Sequence, residues 1–201
     1  HEPILSPSRR RSAGLLFASP GPVEPAAGLD RTFSVPDFPP HPRTPMPIYE
    51  GDFSAPAGRF AIVVARFNSL VTEALLAGCR DSFIRHGGAD DRLDVYWVPG
   101  SFEVPLIARK LAEAGKHAAV ICLGCVIRGE TGHYDHVAGQ AAGGVLQASL
   151  STGVPVVFGV LTTESVEQAL NRAGLKLGNK GGESALAAIE MVNLLARIDA
   201  K

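Results

Sequence analysis

"HAAVICLGCVIRGETGHYDHV", residues 117–137, decides the architecture. Its first half is an almost unbroken apolar run, rich in valine and isoleucine and ended by a glycine-bearing turn. Such a run reads as a strand with no solvated face, and a strand like that lies inside a sheet covered on both sides. Beyond Gly129 and Gly132 the period changes. Val137, Ala141, Val145 and Ala148 recur at helical spacing. A buried strand that turns directly into an amphipathic helix is half of a parallel crossover unit.

The same alternation continues on either side of this stretch. "RFAIVVAR" (59–66) is a short β-branched strand, followed by a helical segment over 69–86. "LDVYWVPG" (93–100) is a second strand, and Val104, Ile107 and Leu111 mark the helix after it. "VPVVFGVLT" (154–162) is a fourth strand; Val166, Leu170 and Ala173 mark a short helix, and Ala188, Met191, Leu195 and Ile198 stripe the last one. The pattern predicts an α/β fold, a three-layer α/β/α sandwich around a four-stranded parallel sheet. In such sheets ligands sit beyond the carboxyl ends of the strands. The residues to weigh are therefore Arg66–Asn68, Pro99–Glu103, Arg128–His133 and Thr162–Glu164.

Bulk properties narrow the function. With 201 residues the chain can bury a sizeable core. A formal net charge of −1 provides no basic field for nucleic acid or an anionic membrane, and no apolar run is long enough to span a bilayer. Three cysteines do not make a disulfide framework. Cys122 and Cys125 spell C-x-x-C, but residues three apart on a strand face opposite ways, whereas a redox pair needs a helix start to lower its thiol pKa. Thiols kept reduced favour a cytoplasmic protein.

Ten of the fifteen prolines precede Met46, and the segment before it has no sustained period. Residues 1–45 are expected to be disordered or extraneous to the fold, with the domain occupying 46–201. Arginine and serine near the start also fit a transit peptide, which would place the protein in a plastid. The four acidic residues before Met46 argue against it.

At the strand ends, Gly129-Glu130-Thr131-Gly132 leads into a helix whose amides can cradle an anion. No Walker or dinucleotide glycine pattern is present. His133, at that helix start, can exchange protons near neutral pH or can simply bond a turn carbonyl. His133 and His136 share a helix face, but with Asp135 they do not complete a metal site, and His136 reads as solvated or interfacial. Phe67 can stack on a flat heterocycle; taken alone it reads as a core ring capping the sheet. Asn68 or Ser69 can cap the following helix. Ser101 and Glu103 in "GSFE" suit a polyol, and the same pattern is an ordinary helix start with an acid in its first turn. Arg172 fits a phosphate or a helix C-terminus, and Lys180 can steer anions or cap its loop.

Together and in this order, "RFN" (66–68), "VPGSFEVP" (98–105), "GCVIRGETGHYDHV" (124–137), "GVPVVFGVLTTESVEQALNRAG" (153–174) and "GNKGGESALAAIEM" (178–191) resemble the lumazine synthase family of riboflavin biosynthesis. The resemblance runs from Met46 to the C-terminus and implies a flavodoxin-like fold. It implies joining of 5-amino-6-(D-ribitylamino)uracil to 3,4-dihydroxy-2-butanone 4-phosphate, with release of phosphate and water and no metal or other cofactor. It also implies the site roles. Phe67 stacks on the pyrimidine, Ser101, Phe102 and Glu103 hold the ribityl-bearing substrate, and Cys125, Val126 and Ile127 meet the pyrimidine edge through their backbone. Phe158 closes the site from a neighbouring subunit. Glu130, Thr131 and Arg172 bind the phosphate, His133 moves protons, and Asn68 and Lys180 support. Pentamers follow from the same resemblance, with a 60-subunit shell favoured by the compact loop "GLKLGNKGG", as does riboflavin synthase as a functional partner. "MPIYEGDFS" is expected to add a strand to a neighbour's sheet. A flavin-binding carrier of similar fold would need a hydroxyl- and glycine-rich loop where "ARFNS" stands, and a phosphoacceptor receiver would need acids there.

Overall fold

The computed structural model describes residues 46–200; the expectation for residues 1–45 lies outside them. The elements follow in the order β1 (Arg59–Ala65), α1 (Ser69–Arg85), β2 (Leu93–Val98), α2 (Val104–Glu113), β3 (His117–Ile127), α3 (His133–Thr152), β4 (Val156–Thr163), α4 (Val166–Arg172) and α5 (Lys180–Asp199), with a single 3-10 turn at Asp90–Arg92 before β2. All the pairings are parallel, and the sheet order is β2-β1-β3-β4. The predicted three-layer sandwich is what forms.

Two cores, one on each face of the sheet, explain why the strands are apolar on both sides. Phe60, Ile62, Val64, Ile121, Leu123 and Cys125 pack under α1 and α5. Ala61, Val63, Ala65, Val120 and Cys122 pack under α2 and α3. Cys122 and Cys125 therefore face opposite layers, as their spacing predicts. All three cysteines are free and buried, and burial pushes the Cys79 thiol up to about 12 and the Cys125 thiol to about 11. None has the lowered pKa of a redox thiol.

Strand β3 is the longest of the four, and its length places the site. Its ladder with β1 ends at Val64↔Leu123, whereas its ladder with β4 continues to Ile127↔Thr163. The last residues of β3 thus overhang β1 and present a strand edge at the carboxyl end of the sheet. Beside that edge the β1–α1 corner turns away: Arg66 N–H donates to Val98 O at 2.8 Å and Phe67 N–H to Pro99 O at 3.1 Å. Both bonds tie the corner to the end of β2, leaving a gap between the corner and β3.

The N-terminal part of the described chain is anchored on α5. A Cβ on Gly51 would lie 2.0 Å from Glu190 O, so only glycine permits this approach. Asn193 donates to the backbone oxygens of Asp52 and Ser54, and Arg197 pairs with Asp52. Residues 46–50 are exposed and form no strand in the single chain.

Candidate active site

The gap beside the overhang of β3 is a cavity of about 510 Å³, a size ordinary for small-molecule sites. Phe67 and Asn68 line it from the β1–α1 corner, Gly100–Glu103 from the β2–α2 turn, Cys125–Ile127 from β3, and Gly129, Thr131, His133, Tyr134, His136 and Val137 from the start of α3. Four segments far apart in sequence thus converge because each follows, or forms, the carboxyl end of a strand.

Asn68 builds the corner in a way the sequence does not announce. It stands at the N-cap position of α1, yet its side chain makes no cap bond. Its backbone is left-handed, φ 61°, the only positive φ of a non-glycine residue among those described. That twist aims the side chain across the gap, where Nδ2 donates to Cys125 O at 3.0 Å. The capping expected of Asn68 is thereby corrected: its carbonyl, not its amide, accepts from Val71 N–H and Thr72 N–H. One hydrogen bond is worth about 1 kcal/mol net, about what a left-handed residue costs, so the arrangement fixes position more than it adds stability. Next to it, Phe67 is 71% exposed over the cavity. The core position that a lone phenylalanine suggests is not taken.

The second wall is the β2–α2 turn. Ser101 is buried, whereas Phe102 is 56% exposed. A Cβ on Gly124 would approach Ser101 Oγ to 2.6 Å, so the glycine in β3 makes room for this hydroxyl. Glu103 stands at the N-cap of α2 rather than in its first turn, and its side chain makes no cap bond. Its carboxylate is exposed at the cavity rim.

The third wall is the start of α3. His133 is the first residue of the helix and is exposed. Among the described residues its ring has no hydrogen-bond partner, so it is not the turn-bonded histidine that spacing also allows. His133 N–H lies 3.5 Å from Thr131 Oγ1, a long contact that leaves the threonine hydroxyl available. Glu130 is exposed and is not part of the cavity lining. His136 is: the reading of it as solvated or interfacial is incomplete, because one helical turn from His133 carries it onto the same wall. Tyr134, and Val137 from the helix's apolar stripe, also line the cavity. Helical spacing from His133 is the signal for His136 and Val137; nothing comparable marks Tyr134. Among the described residues no cluster of three or more histidine, cysteine, aspartate or glutamate side chains is placed to hold a metal ion.

Besides Glu130, three more predicted residues lie outside this cavity. Phe158 is half-buried and packs on the α2–α3 side. Arg172 ends α4, exposed, and has no ion pair among the described residues. Lys180 opens α5 and pairs with Glu183 at 3.0 Å. Capping of that loop belongs instead to Asn179, whose Oδ1 accepts from Gly181 N–H and Gly182 N–H and whose Nδ2 donates to Ala74 O and Ala173 O.

A parallel α/β sheet whose strand ends gather an exposed aromatic ring, hydroxyl and carboxylate groups, helix-start amides and an unpartnered imidazole defines a small-molecule enzyme of the flavodoxin-like class. Comparison with known proteins makes this specific. The family model for 6,7-dimethyl-8-ribityllumazine synthase matches residues 57–196. A 6,7-dimethyl-8-ribityllumazine synthase of Deinococcus radiodurans is 60% identical over 141 residues, covering 70% of this chain and 91% of that protein. One of Deinococcus deserti is 60% identical over 140 residues, covering 70% of this chain and 90% of the relative. The chain belongs to the 6,7-dimethyl-8-ribityllumazine synthase family and is an enzyme of that type, a transferase of riboflavin biosynthesis.

Proposed function

We propose that the chain joins 5-amino-6-(D-ribitylamino)uracil to 3,4-dihydroxy-2-butanone 4-phosphate in the cavity beside β3, giving 6,7-dimethyl-8-ribityllumazine, phosphate and water. The observation that carries this reading is the convergence of Phe67, Ser101–Glu103, Cys125–Ile127, Thr131 and His133 on one space. Phe67 stacks on the pyrimidine, the overhanging edge of β3 reads its amide groups, and Ser101, Phe102 and Glu103 take the ribityl chain. The phosphate lies over Gly129–Gly132 and the first turn of α3, held by the Glu130 and Thr131 amides and the Thr131 hydroxyl.

The chemistry suits such a site. An aromatic amine attacks the ketone and water leaves, phosphate is eliminated, and the second amine closes the ring onto the remaining carbonyl with loss of a second water. Each step needs held partners and mobile protons, not electron transfer. Holding two reactants in register is worth up to about 7–11 kcal/mol, and a positioned proton carrier adds about 10²–10⁴-fold. His133, beside both substrates, is that carrier.

Among the described residues no lysine or arginine lines the cavity, although one substrate carries a phosphate. Arg172, exposed on α4 and without an ion pair among the described residues, supplies that charge from a neighbouring copy, with Phe158 as the closing ring and Lys180 in support. The assembly is a pentamer. Exposed Leu146 and Leu150 on α3 and Leu106 on α2 give it apolar surface to bury, and residues 46–50 supply an added strand at a neighbour's sheet edge. The short connection between α4 and α5, closed by Leu177 N–H to Asn171 O at 2.8 Å and Gly174 N–H to Gly178 O at 2.9 Å, favours a 60-subunit shell. The enzyme works in the cytoplasm and passes its product to riboflavin synthase.

The test is to mix both substrates with the full chain and follow lumazine fluorescence and free phosphate together. Equimolar appearance of the two is expected. Folded protein that forms neither overturns the reading.

A further inference from the structure

Arg128 has no role in the account so far, yet it is the most heavily engaged side chain near the cavity. Its backbone N–H donates to Thr163 O at 2.8 Å, adding a rung to the β3–β4 ladder. Nε donates to Glu164 Oε2 at 2.7 Å. Nη2 and Nη1 fork onto Asp135 Oδ1 and Oδ2 at 3.0 and 3.2 Å. The guanidinium carbon lies 4.0 Å over the Tyr134 ring. One residue thus ties the exit of β3 to the end of β4 and to the first turn of α3.

The loop it bridges is otherwise loosely held. Neither Gly129 nor Gly132 has an atom within 4 Å of where a Cβ would lie. Within the loop, Asp135 N–H reaches Gly132 O at 3.2 Å, and the Thr131 contact is 3.5 Å. Where Thr131 and His133 stand therefore depends on where the first turn of α3 is pinned. Both terminal nitrogens of Arg128 are committed to Asp135, and the residue does not line the cavity. It is not placed to hold an anion itself.

We propose that Arg128 is a positioning residue for the phosphorylated substrate: through Asp135 and Tyr134 it sets the start of α3, and with it Thr131 and His133, against the end of β3. This rests on the lumazine synthase reading of the cavity. A bidentate fork fixes distance and angle together, which a lysine ammonium does not.

The test compares full-length Arg128→Met, Arg128→Lys and Asp135→Asn with wild type, varying each substrate in turn. Breaking the fork from either side is expected to raise KM for the phosphorylated substrate about tenfold, as small misplacements in a reacting site do. KM for the pyrimidine should stay within about twofold, Arg128→Lys should recover part of the loss, and the Arg128→Met/Asp135→Asn pair should be no worse than either single change. An unchanged or lowered KM in Asp135→Asn would overturn the proposal, because it marks an arginine that binds the phosphate directly once freed. An equal rise for both substrates would overturn it too, as a general loss of structure. If Arg128→Met does not fold, Asp135→Asn, which alters an exposed carboxylate, decides alone. Wild type that makes no lumazine sinks the reading of the cavity, and this proposal with it. Active wild type with no split between the substrates sinks only the role of Arg128.

Discussion

The two ends of the sheet each present a histidine and treat it oppositely. At the amino end His117 is buried, and its Nε2 donates to Asp94 at 3.0 Å. Arg59 grips the same carboxylate through Nε at 2.8 Å. At the carboxyl end His133 is exposed over a cavity and its ring has no partner among the described residues. One end ties His117 Nε2, Asp94 and Arg59 to each other, with only His117 Nδ1 buried without a partner among the described residues; the other leaves a ring, a hydroxyl and an imidazole open to a cavity. Side chains paired within the fold hold the fold, whereas those left unpaired around a concavity are available to a ligand. Residue type alone does not separate the two histidines; partners do.

The comparison predicts loss of turnover without loss of stability at the carboxyl end, and the reverse at the amino end. The largest effect should come from His133→Ala, with kcat down about 10²–10⁴-fold and the melting temperature unchanged. Folded, assembled protein with no detectable turnover would contradict the share given to holding the substrates. Next, Arg172→Ala should raise KM for the phosphorylated substrate about 10–150-fold, the worth of charge-assisted hydrogen bonds. If the arginine comes from a neighbouring copy, co-assembling the His133→Ala and Arg172→Ala chains should restore activity by forming some intact sites; mixtures no better than the separate variants would confine the site to one chain.

A smaller effect sharpens the account of the corner. Asn68→Gly keeps the left-handed backbone and removes only the bond to Cys125 O. KM for the pyrimidine should rise about fivefold, from roughly 1 kcal/mol of lost positioning, with little change for the phosphorylated substrate. Unchanged kinetics would reduce Asn68 to a turn residue.

The smallest effect on activity belongs to the amino end. Asp94→Asn should lower the melting temperature by about 2–8 °C, from an unmet donor and a weakened pair, and leave kcat as it is. Arg59, then His117, hold the Asp94 carboxyl down to about 2. A depressed carboxylate stabilises the fold above its ordinary pKa of about 3.9, and that contribution is lost as pH falls toward about 2. Wild type should therefore lose stability across that window, and Asp94→Asn should lose less of it. Parallel acid curves would remove Asp94 from the explanation.

The layers and the site's outline were legible because they follow periodicity. Buried β-branched runs gave the strands, a three-residue spacing separated Cys122 from Cys125, and the residues after each strand named most of the cavity wall. What periodicity misses is bonding between segments distant in sequence. The Asn68 amide reaches Cys125 across the gap, and nothing local marks it; next to it, a ring that reads as core is exposed instead. The ties of Arg128 to Asp135 and Glu164 likewise depend on β3 and β4 ending side by side. For His136 the sequence shows the helical face but not what stands opposite it, so its place on the cavity wall is not legible. Phe158 rests on resemblance alone and Arg172 and Lys180 on residue type with resemblance, and a single chain does not bring any of them to the cavity.

The most direct measurement is an experimental structure of the assembled protein with a ribityl-pyrimidine analogue and inorganic phosphate bound. The account predicts the pyrimidine stacked on Phe67 along the Cys125–Ile127 edge, the phosphate over Thr131, and the His133 imidazole within one bridging water of it. A ligand bound elsewhere, or an imidazole farther from the phosphate than a water can bridge, would contradict it.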